Sequence, residues 1–376
     1  MNRRVFISCI ACSFLFADAR GHNSNRTSQI QQSRRERWEG DLKEAMWYVK
    51  LNLKKVRCDL CPRKCVVDDR ERGFCGVREN RDGIYYTLVY SNPCAVHIDP
   101  IEKKPFFHFL PATLSFSIAT AGCNIECAYC QNWEISQRRP EQTENIYMPP
   151  KRVVELAKHY GCKSISFTYT EPVVFYEYMV DTAKLARHAN IRALMVTNAF
   201  IEPKPMQEAC KVLDAVKVDL KAFSEEFYRK ICRGQLKPVL KAIEVIKSTG
   251  TWLELVVLIV PKLNDSPTEI KQMCNWVKTN LGSDVPIHFS RFIPMYKLRN
   301  LPPTPVETLE RCHDIAKEIG LRYVYIGNVF GHPAESTYCP NCNSVVIQRM
   351  GYKTSISGLR GNKCAKCKFT IAGVWA

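Results

Sequence analysis

Short apolar runs alternate with amphipathic stretches from residue 114 to residue 328, and this alternation restricts the fold more than any other feature. Several runs are apolar at consecutive positions, as expected when helices cover both faces of a parallel sheet. The predicted strands are Leu114–Ala119, Ser164–Phe167, Ala193–Val196, Ala215–Val218, Leu255–Val260, Ile287–Phe289 and Tyr323–Ile326. Repeating strand–helix units indicate a βα barrel or a doubly wound sheet. Sites in both folds gather at the C-terminal ends of the parallel strands.

The sequence indicates two helix starts within this region. Residues 266–269 read SPTE and residues 304–307 read TPVE. Each segment offers a capping residue, a proline for the first helical position and a glutamate for a capping box. Helices are therefore predicted to begin at Pro267 and Pro305.

Cysteine usage is the most informative part of the composition. The chain has 19 cysteines in 376 residues, and most of them fall into three tight groups. A disulfide framework is typical of short secreted domains that lack a core, and this chain is long enough to bury one. The short, paired spacings therefore indicate metal or iron–sulfur ligation.

The central cysteine group is Cys123-x3-Cys127-x2-Cys130, directly after the first predicted strand. Three thiolates can hold a cubane iron–sulfur cluster and leave its fourth iron open for another ligand. Its place after a strand puts this group at the C-terminal mouth of a barrel. The alternative is a zinc site that takes a fourth ligand from elsewhere, such as Cys94 or His97.

This spacing, with an aromatic residue before the last cysteine, resembles the signature of radical S-adenosylmethionine enzymes. More closely, the chain resembles the group related to pyruvate formate-lyase activating enzyme, and within it the radical enzymes of the AmmeMemoRadiSam system. Further matching motifs are CGVR at 75–78, YTEP at 169–172, VDLK at 218–221 and YIGN at 325–328. The resemblance implies an α/β fold, a partial TIM-type (β/α)6 barrel with small cysteine-rich metal modules at its N-terminal and C-terminal sides.

The resemblance also implies roles for individual residues. Cys123, Cys127 and Cys130 would ligate a [4Fe–4S] cluster, and S-adenosylmethionine would bind at the open iron. Tyr129 would lie against the adenine, and Glu171 would bind the amino group. The positions of Asn198, Asp219 and Lys221 match those that hold the ribose and carboxylate or a nearby cation. The full set of implied cofactor-binding residues is Tyr129, Asn132, Thr170, Glu171, Asn198, Asp219 and Lys221.

The implied reaction is a reductive cleavage. A low-potential donor such as ferredoxin or flavodoxin would supply one electron, and the cofactor would split into methionine and a 5′-deoxyadenosyl radical. That radical would abstract hydrogen from a substrate, for example a glycine in a partner protein, as in activating enzymes. This makes the chain an oxidoreductase. RNA or a small molecule are the alternative substrates.

The two flanking cysteine groups have four members each. The C-terminal group has the two-knuckle spacing of a zinc ribbon, although an auxiliary iron–sulfur cluster also suits four thiolates; it comprises Cys339, Cys342, Cys364 and Cys367. For the N-terminal group, zinc, a second cluster and a role in the central site all remain open; it comprises Cys58, Cys61, Cys65 and Cys75. The isolated cysteines, Cys232 among them, are predicted to be small buried residues.

The predicted division of the chain is 1–35 as a signal-like or disordered N-terminus, 36–110 as the N-terminal module, 111–330 as the barrel and 331–376 as the ribbon. Within the first segment, Arg3-Arg4 before an apolar stretch resembles a twin-arginine export signal. Cluster chemistry depends on a reductant and a cofactor supply that are cytosolic, which favours the cytoplasm.

The net charge of +17 is consistent with an anionic partner, but the lysines and arginines are spread along the chain without a dense tract. A zinc-ribbon nucleic-acid-binding protein without radical chemistry is the competing function. The ribbon lacks the aromatic-rich strands that base stacking favours, so nucleic acid is the less favoured partner. No apolar run approaches the roughly 20 residues that span a bilayer, so no integral membrane span is expected.

Overall fold

The computed structural model describes residues 42–375, whose strands form one large sheet between two groups of small ones. The strands before the large sheet are β1 (Lys43–Glu44), β2 (Tyr48–Lys50), β3 (Val56–Cys58), β4 (Val66–Val67), β5 (Arg78–Arg81) and β6 (Ile84–Thr87). The large sheet contains β7 (Ala95–Pro100), β8 (Leu114–Ala119), β9 (Ser164–Phe167), β10 (Arg192–Thr197), β11 (Ala215–Asp219), β12 (Trp252–Ile259), β13 (Ile287–Arg291) and β14 (Val324–Gly327). The strands after it are β15 (Thr337–Tyr338), β16 (Val345–Met350), β17 (Lys353–Ser355), β18 (Leu359–Arg360) and β19 (Lys363–Cys364).

The large sheet follows the chain in strict order from β7 to β14. Strand β7 is antiparallel to β8, and every later neighbour pair is parallel. A doubly wound sheet would reverse direction at a switch point, so the sequential order confirms winding of the barrel type. The parallel strands number seven, one more than the expected (β/α)6 unit, because the last helix and β14 add a further strand–helix pair.

All predicted parallel strands are present, and the largest shift is at β12, which begins at Trp252 instead of Leu255. The helices are α1 (Trp133–Ser136), α2 (Pro150–His159), α3 (Tyr176–His188), α4 (Pro203–Cys210), α5 (Glu225–Phe227), α6 (Leu236–Ser248), α7 (Pro267–Leu281) and α8 (Val306–Ile319). Single 3-10 turns occur at Ile101–Lys103, Pro140–Gln142, Pro172–Phe175 and Pro333–Glu335, and a π-helical turn at Tyr228–Cys232.

The two predicted helix starts differ from the structure in detail. Helix α7 begins at Pro267 as predicted, but Glu269 accepts the backbone N–H of Phe223 at 2.7 Å instead of closing a capping box. Helix α8 begins one residue later than predicted, at Val306. Its expected capping residue, Thr304, is buried and holds loop backbone instead, because its hydroxyl donates to the carbonyl of Ile259.

The N-terminal module consists of two three-stranded sheets, β1-β6-β5 and β2-β3-β4. Arg78 joins it to helix α3 through a buried ion pair, in which its Nη2 lies 2.5 and 2.7 Å from the two carboxylate oxygens of Glu177. The same carboxylate accepts the backbone N–H of Met46 at 2.6 Å. Strand β7 lies inside the segment 36–110 that was expected to form this module, yet it belongs to the large sheet, because it pairs with β8 along its whole length.

The C-terminal strands pack against the start of the barrel strands. Glu254, near the beginning of β12, is fully buried and accepts hydrogen bonds from the backbone of Phe107 and His108. It also pairs with His288 Nε2 at 2.9 Å. Polar groups at the N-terminal face of a βα barrel serve stability. His288 pairs with this buried carboxylate, and the His108 ring contacts Tyr325 and the carbonyl of Ala372.

Residues 1–41 and 376 lie outside the described part of the chain, and so does the predicted export signal. All described residues belong to the same one of two compact units. Between residues 42 and 375 no helix combines the length and the apolar character needed to cross a bilayer.

Candidate functional site

The central cysteine loop leaves the C-terminal end of β8 and is held in place on two sides. The backbone N–H groups of Glu126 and Ala128 donate to the π-helical turn, at 2.8 Å to Cys232 O and 2.9 Å to Ile231 O. At Gly122 the backbone has a positive φ of 93°. A Cβ there would approach the N-terminal module to within 2.6 Å of a Val77 methyl, so the turn requires glycine.

The three thiols of the loop form one group, in which Cys127 is buried and Cys123 and Cys130 are half-buried. Each interacts electrostatically with the other two, and the backbone N–H of Ile125 donates to the sulfur of Cys123. Burial raises the pKa of the Cys123 and Cys130 thiols, so ligation requires that a metal displace their protons. Yet no three His, Cys, Asp or Glu ligand atoms in this part of the described chain lie within 4.8 Å of one another. This spacing favours a larger cluster over a single tetrahedral zinc ion.

Glu171 follows β9 and is almost completely buried beside the loop. Its carboxylate accepts from Thr197 Oγ1 at 2.6 Å, from the Asn198 backbone N–H at 2.8 Å and from the Val173 backbone N–H at 3.1 Å. Burial raises its pKa to about 7. An ionised carboxylate offers about four acceptor positions, so one remains for a further donor such as an ammonium group.

Asn198 directly follows β10 and lies against the cysteine loop. Its side-chain nitrogen donates to Asn124 Oδ1 at 3.0 Å and lies 3.7 Å from the sulfur of Cys123. Its side-chain oxygen accepts the backbone N–H of Phe200 at 2.8 Å. The structure thus uses this side chain to hold the loop, and its expected contact with the ribose or carboxylate stays a prediction.

Asp219 and Lys221 lie together at the end of β11. Lys217 and Lys221 both contact the carboxylate, the second at 3.1 Å. Although burial opposes it, these two cations hold the pKa of Asp219 at about 2. Asp219 and Cys127 likewise raise the pKa of Lys221 against the effect of its burial. A fixed cation therefore stands close to a thiol of the loop, where a carboxylate or a cluster sulfur gains a charge-assisted contact.

Tyr169 holds the turn in front of Glu171 in a left-handed conformation. Its φ is +64°, which is rare for a residue with a side chain. Its hydroxyl donates to Asp99, and Lys104 Nζ lies 4.5 Å from its ring centre. Its carbonyl accepts from Asn132 Nδ2 at 2.7 Å, which ties the turn to the end of the cysteine loop. The next residue, Thr170, donates to Thr120 O at 2.8 Å.

The ring of Tyr129 points into the core. It is only 4% exposed, packs against Phe227 and places its hydroxyl 3.7 Å from the sulfur of Cys232. In this position the ring contacts core residues, and its expected contact with the adenine stays a prediction.

Cys232 belongs to the site although it was assigned only to the core. It is buried as predicted, but its thiol is hydrogen-bonded to the thiol of Cys127. The π-helical turn produces this approach, and π-turns are frequent at functional sites. Because the sulfur of Cys232 contacts the sulfur of Cys127, it lies next to this ligand and not at a separate corner of the cubane cluster. The spacing along the sequence carries no signal for this contact.

The two outer cysteine groups differ in geometry. In the C-terminal group all four sulfurs lie within 4.8 Å of one another, with Cys339 and Cys367 at 3.4 Å and Cys342 and Cys364 at 3.7 Å. Tetrahedral zinc with Zn–S bonds of about 2.3 Å requires sulfurs about 3.8 Å apart. The N-terminal group is wider, and none of its members joins a set within 4.8 Å among residues 42–375.

Comparison with known proteins agrees with this site. Residues 117–277 match the Radical SAM superfamily. An uncharacterized protein of Methanocaldococcus jannaschii is 46% identical over 328 residues, which cover 87% of this chain and 98% of that protein. The chain belongs to the radical SAM superfamily. Membership implies a [4Fe–4S] cluster and S-adenosylmethionine, and the widely spaced cysteine triplet fits such a cluster.

More distant relatives have assigned activities. A pyruvate formate-lyase-activating enzyme of Clostridium pasteurianum is 24% identical over 217 residues, covering 53% of this chain and 88% of that protein. A GTP 3′,8-cyclase of Lactiplantibacillus plantarum is 26% identical over 260 residues, covering 62% of this chain and 75% of that protein. These matches agree with the superfamily assignment, and the closer relation to pyruvate formate-lyase activating enzyme stays a prediction. The finer assignment to the AmmeMemoRadiSam system stays a prediction.

Proposed function

We propose that Cys123, Cys127 and Cys130 hold a [4Fe–4S] cluster with one open iron, and that the chain uses it to cleave S-adenosylmethionine reductively. One observation supports this above all others. A single loop at the C-terminal end of β8 supplies three interacting sulfurs, which are spaced more widely than the four sulfurs of the C-terminal group. Beside it, Glu171 keeps one acceptor position open.

The side chains around the loop divide the binding of the cofactor. When bound, the cluster and S-adenosylmethionine supply methionine and a 5′-deoxyadenosyl radical after one-electron reduction. Glu171 receives the ammonium group, since a buried carboxylate makes a charge-assisted hydrogen bond with it. Lys221 offers its ammonium to a carboxylate, and Asp219 keeps that lysine in position at 3.1 Å. Thr170, Asn132 and Tyr169 brace the turn that carries Glu171.

The reaction class is an oxidoreductase reaction in which the substrate loses a hydrogen atom. The relationship to pyruvate formate-lyase-activating enzyme makes a glycine in a partner protein the first substrate to test. A small molecule and RNA are the alternatives. The one-electron donor is a ferredoxin or a flavodoxin, and supply of both donor and cofactor places the reaction in the cytoplasm.

The C-terminal cysteine group holds a structural zinc ion in this proposal. Its four sulfurs are close enough for one tetrahedral ion and leave no position for a further ligand. The group packs on Phe107 and Tyr323 at the barrel, so the metal stabilises a cover over the N-terminal ends of the strands.

The decisive experiment measures 5′-deoxyadenosine. Anaerobically purified, iron-reconstituted protein is reduced with dithionite and incubated with S-adenosylmethionine. The wild type should release 5′-deoxyadenosine and methionine, and Cys127→Ala should release none. The matched control is Cys162→Ala, which removes another buried thiol far along the chain from the loop. No release by cluster-loaded wild type would refute the proposal, as would full release by Cys127→Ala.

A further inference from the structure

The N-terminal module contains a second constellation of thiols that the proposed function does not use. Its members are Cys58, Cys61, Cys65 and Cys75, and every one of the six pairs among them interacts electrostatically. The backbone N–H of Cys58 donates to the carbonyl of Cys65 at 2.9 Å, and the N–H of Lys64 donates to the carbonyl of Cys61 at 3.2 Å, so the chain turns to bring these cysteines together. Unlike the C-terminal group, they make no sulfur–sulfur contact among the described hydrogen bonds, and no three of them lie within 4.8 Å. The group is therefore more widely spaced than the C-terminal group, as the central triplet is.

Backbone donors surround this group. The N–H groups of the second residue after Cys58, Cys61 and Cys75 each donate to the preceding thiol. The N–H of Phe74 donates to the sulfur of Cys65 at 3.5 Å. Hydrogen bonds to sulfur stabilise thiolates and set the potential of iron–sulfur clusters. Main-chain N–H groups therefore face the sulfurs of this group.

The module lies directly against the central loop. A Cβ on Gly122 would come within 2.8 Å of the carbonyl oxygen of Cys75, so the two cysteine loops are in van der Waals contact. Arg63, between Cys61 and Cys65 in the sequence, donates from Nε to Asn124 O at 2.5 Å. Its guanidinium interacts electrostatically with module thiols and with Cys123. One side chain therefore lies between both sets of sulfurs.

We propose that Cys58, Cys61, Cys65 and Cys75 hold a second [4Fe–4S] cluster, which passes electrons to the cluster at the central loop. Four protein ligands close this cluster, so it has no open iron and binds no substrate. The sulfurs are spaced more widely than the four sulfurs of the C-terminal group, which favours a larger cluster over a single zinc ion. The contact through Gly122 and Arg63 makes the two clusters neighbours.

The electron transfer forms and breaks no bond and moves no proton. An external low-potential donor of the ferredoxin class loses one electron, and the module cluster is reduced by it. The module cluster is then reoxidised as the same electron reduces the central cluster. This role rests on the proposed function, whereas the presence of a second cluster does not.

The first experiment counts iron in a chain that lacks the central ligands. In the triple variant Cys123→Ala, Cys127→Ala, Cys130→Ala, anaerobic reconstitution should leave about four irons per chain and a reduced [4Fe–4S] signal by electron paramagnetic resonance. Adding Cys65→Ser should remove this iron, and adding Cys162→Ser, outside both groups, should not. A folded triple variant without iron, or one that carries additional zinc lost on Cys65→Ser, would overturn the second cluster.

The second experiment tests the relay by spectroscopy instead of activity. In Cys65→Ser, the signal of the central cluster should develop with dithionite but not with reduced ferredoxin, whereas the wild type should respond to both. Equal reduction by ferredoxin in both proteins would overturn the relay. Failure of the proposed function would look different, because wild type would then release no 5′-deoxyadenosine even with both clusters reduced.

Discussion

Replacing Glu171 by glutamine tests the reasoning about the cofactor site most directly. The carboxylate has three protein donors, from Val173, Thr197 and Asn198, and one remaining acceptor position. Glutamine has nearly the same shape, but it carries no charge and turns one acceptor atom into a donor. The variant should therefore bind S-adenosylmethionine more weakly than the wild type.

The magnitude follows from the lost contact. A hydrogen bond to a charged group contributes about 1.5–3 kcal/mol. Since 1.4 kcal/mol corresponds to a factor of ten, the dissociation constant should rise by about 10- to 150-fold. The raised pKa of Glu171, about 7, makes this factor depend on pH. Near pH 8 most wild-type chains carry the carboxylate, whereas near pH 6 only about one in ten does.

The assay is equilibrium binding of S-adenosylmethionine to cluster-loaded protein at pH 6 and pH 8. Wild-type affinity should increase as the pH rises through 7, because ionised Glu171 is the binding form. The affinity of Glu171→Gln should change little with pH, so the two proteins should differ most at pH 8. Equal affinities at pH 8, or the same loss at both pH values, would refute the assignment of Glu171 to the ammonium group.

A matched control separates this effect from a general loss of packing. Glu102 is also buried, and it accepts the backbone N–H of Ala112 at 2.7 Å. Its other oxygen has no hydrogen-bond partner among the described residues. The side-chain amide nitrogen of glutamine can therefore occupy that position without facing another hydrogen-bond donor. Glu102→Gln should retain wild-type affinity at both pH values. Circular dichroism and urea unfolding check that both variants fold.

Three further changes probe other parts of the structure. Gly122→Ala should lower the free energy of unfolding by about 2–5 kcal/mol in urea titrations. This range is the sum of about 1–2 kcal/mol for a left-handed backbone and about 1–3 kcal/mol for overpacking against Val77. A loss under about 1 kcal/mol would contradict the close contact. Cys339→Ser should abolish zinc binding and lower the melting temperature with iron content unchanged, whereas parallel loss of iron would show that this group holds a cluster. Cys232→Ala should keep its iron but make the potential of the central cluster more negative in a redox titration, because a hydrogen bond to the Cys127 sulfur is lost; loss of iron would instead identify Cys232 as a ligand.

The sequence predicted the parallel strands well because both of their faces are buried, which leaves runs of consecutive apolar residues. It did not predict strand β7, Ala95–Pro100, as part of the large sheet. This edge strand carries His97 and Asp99 among its apolar residues, and its pairing with β8 is decided by tertiary contacts. Burial of Thr304 likewise overrode its capping signal.

The site was predicted in part. The triplet, Glu171, Asp219 and Lys221 come together at the strand ends as expected, since each follows a parallel strand. The ring of Tyr129 points inward, and Cys232 approaches Cys127. Both features depend on the π-helical turn, which no local sequence pattern predicts. Both outer cysteine groups begin with a C-x2-C pair. Only the spacing of the sulfurs in three dimensions distinguishes the narrow C-terminal group from the wider N-terminal group.

The buried pair of Arg78 and Glu177 limits how the protein can be shortened. Both side chains are 1% exposed, so a chain that starts after β6 would leave the carboxylate of Glu177 without its guanidinium partner in a dry interior. Removing one member of such a pair costs about 3–5 kcal/mol, a large part of the stability of an ordinary domain. Barrel fragments without the first 90 or so residues should therefore aggregate or unfold, and the catalytic half of this enzyme has to be produced together with its N-terminal neighbour.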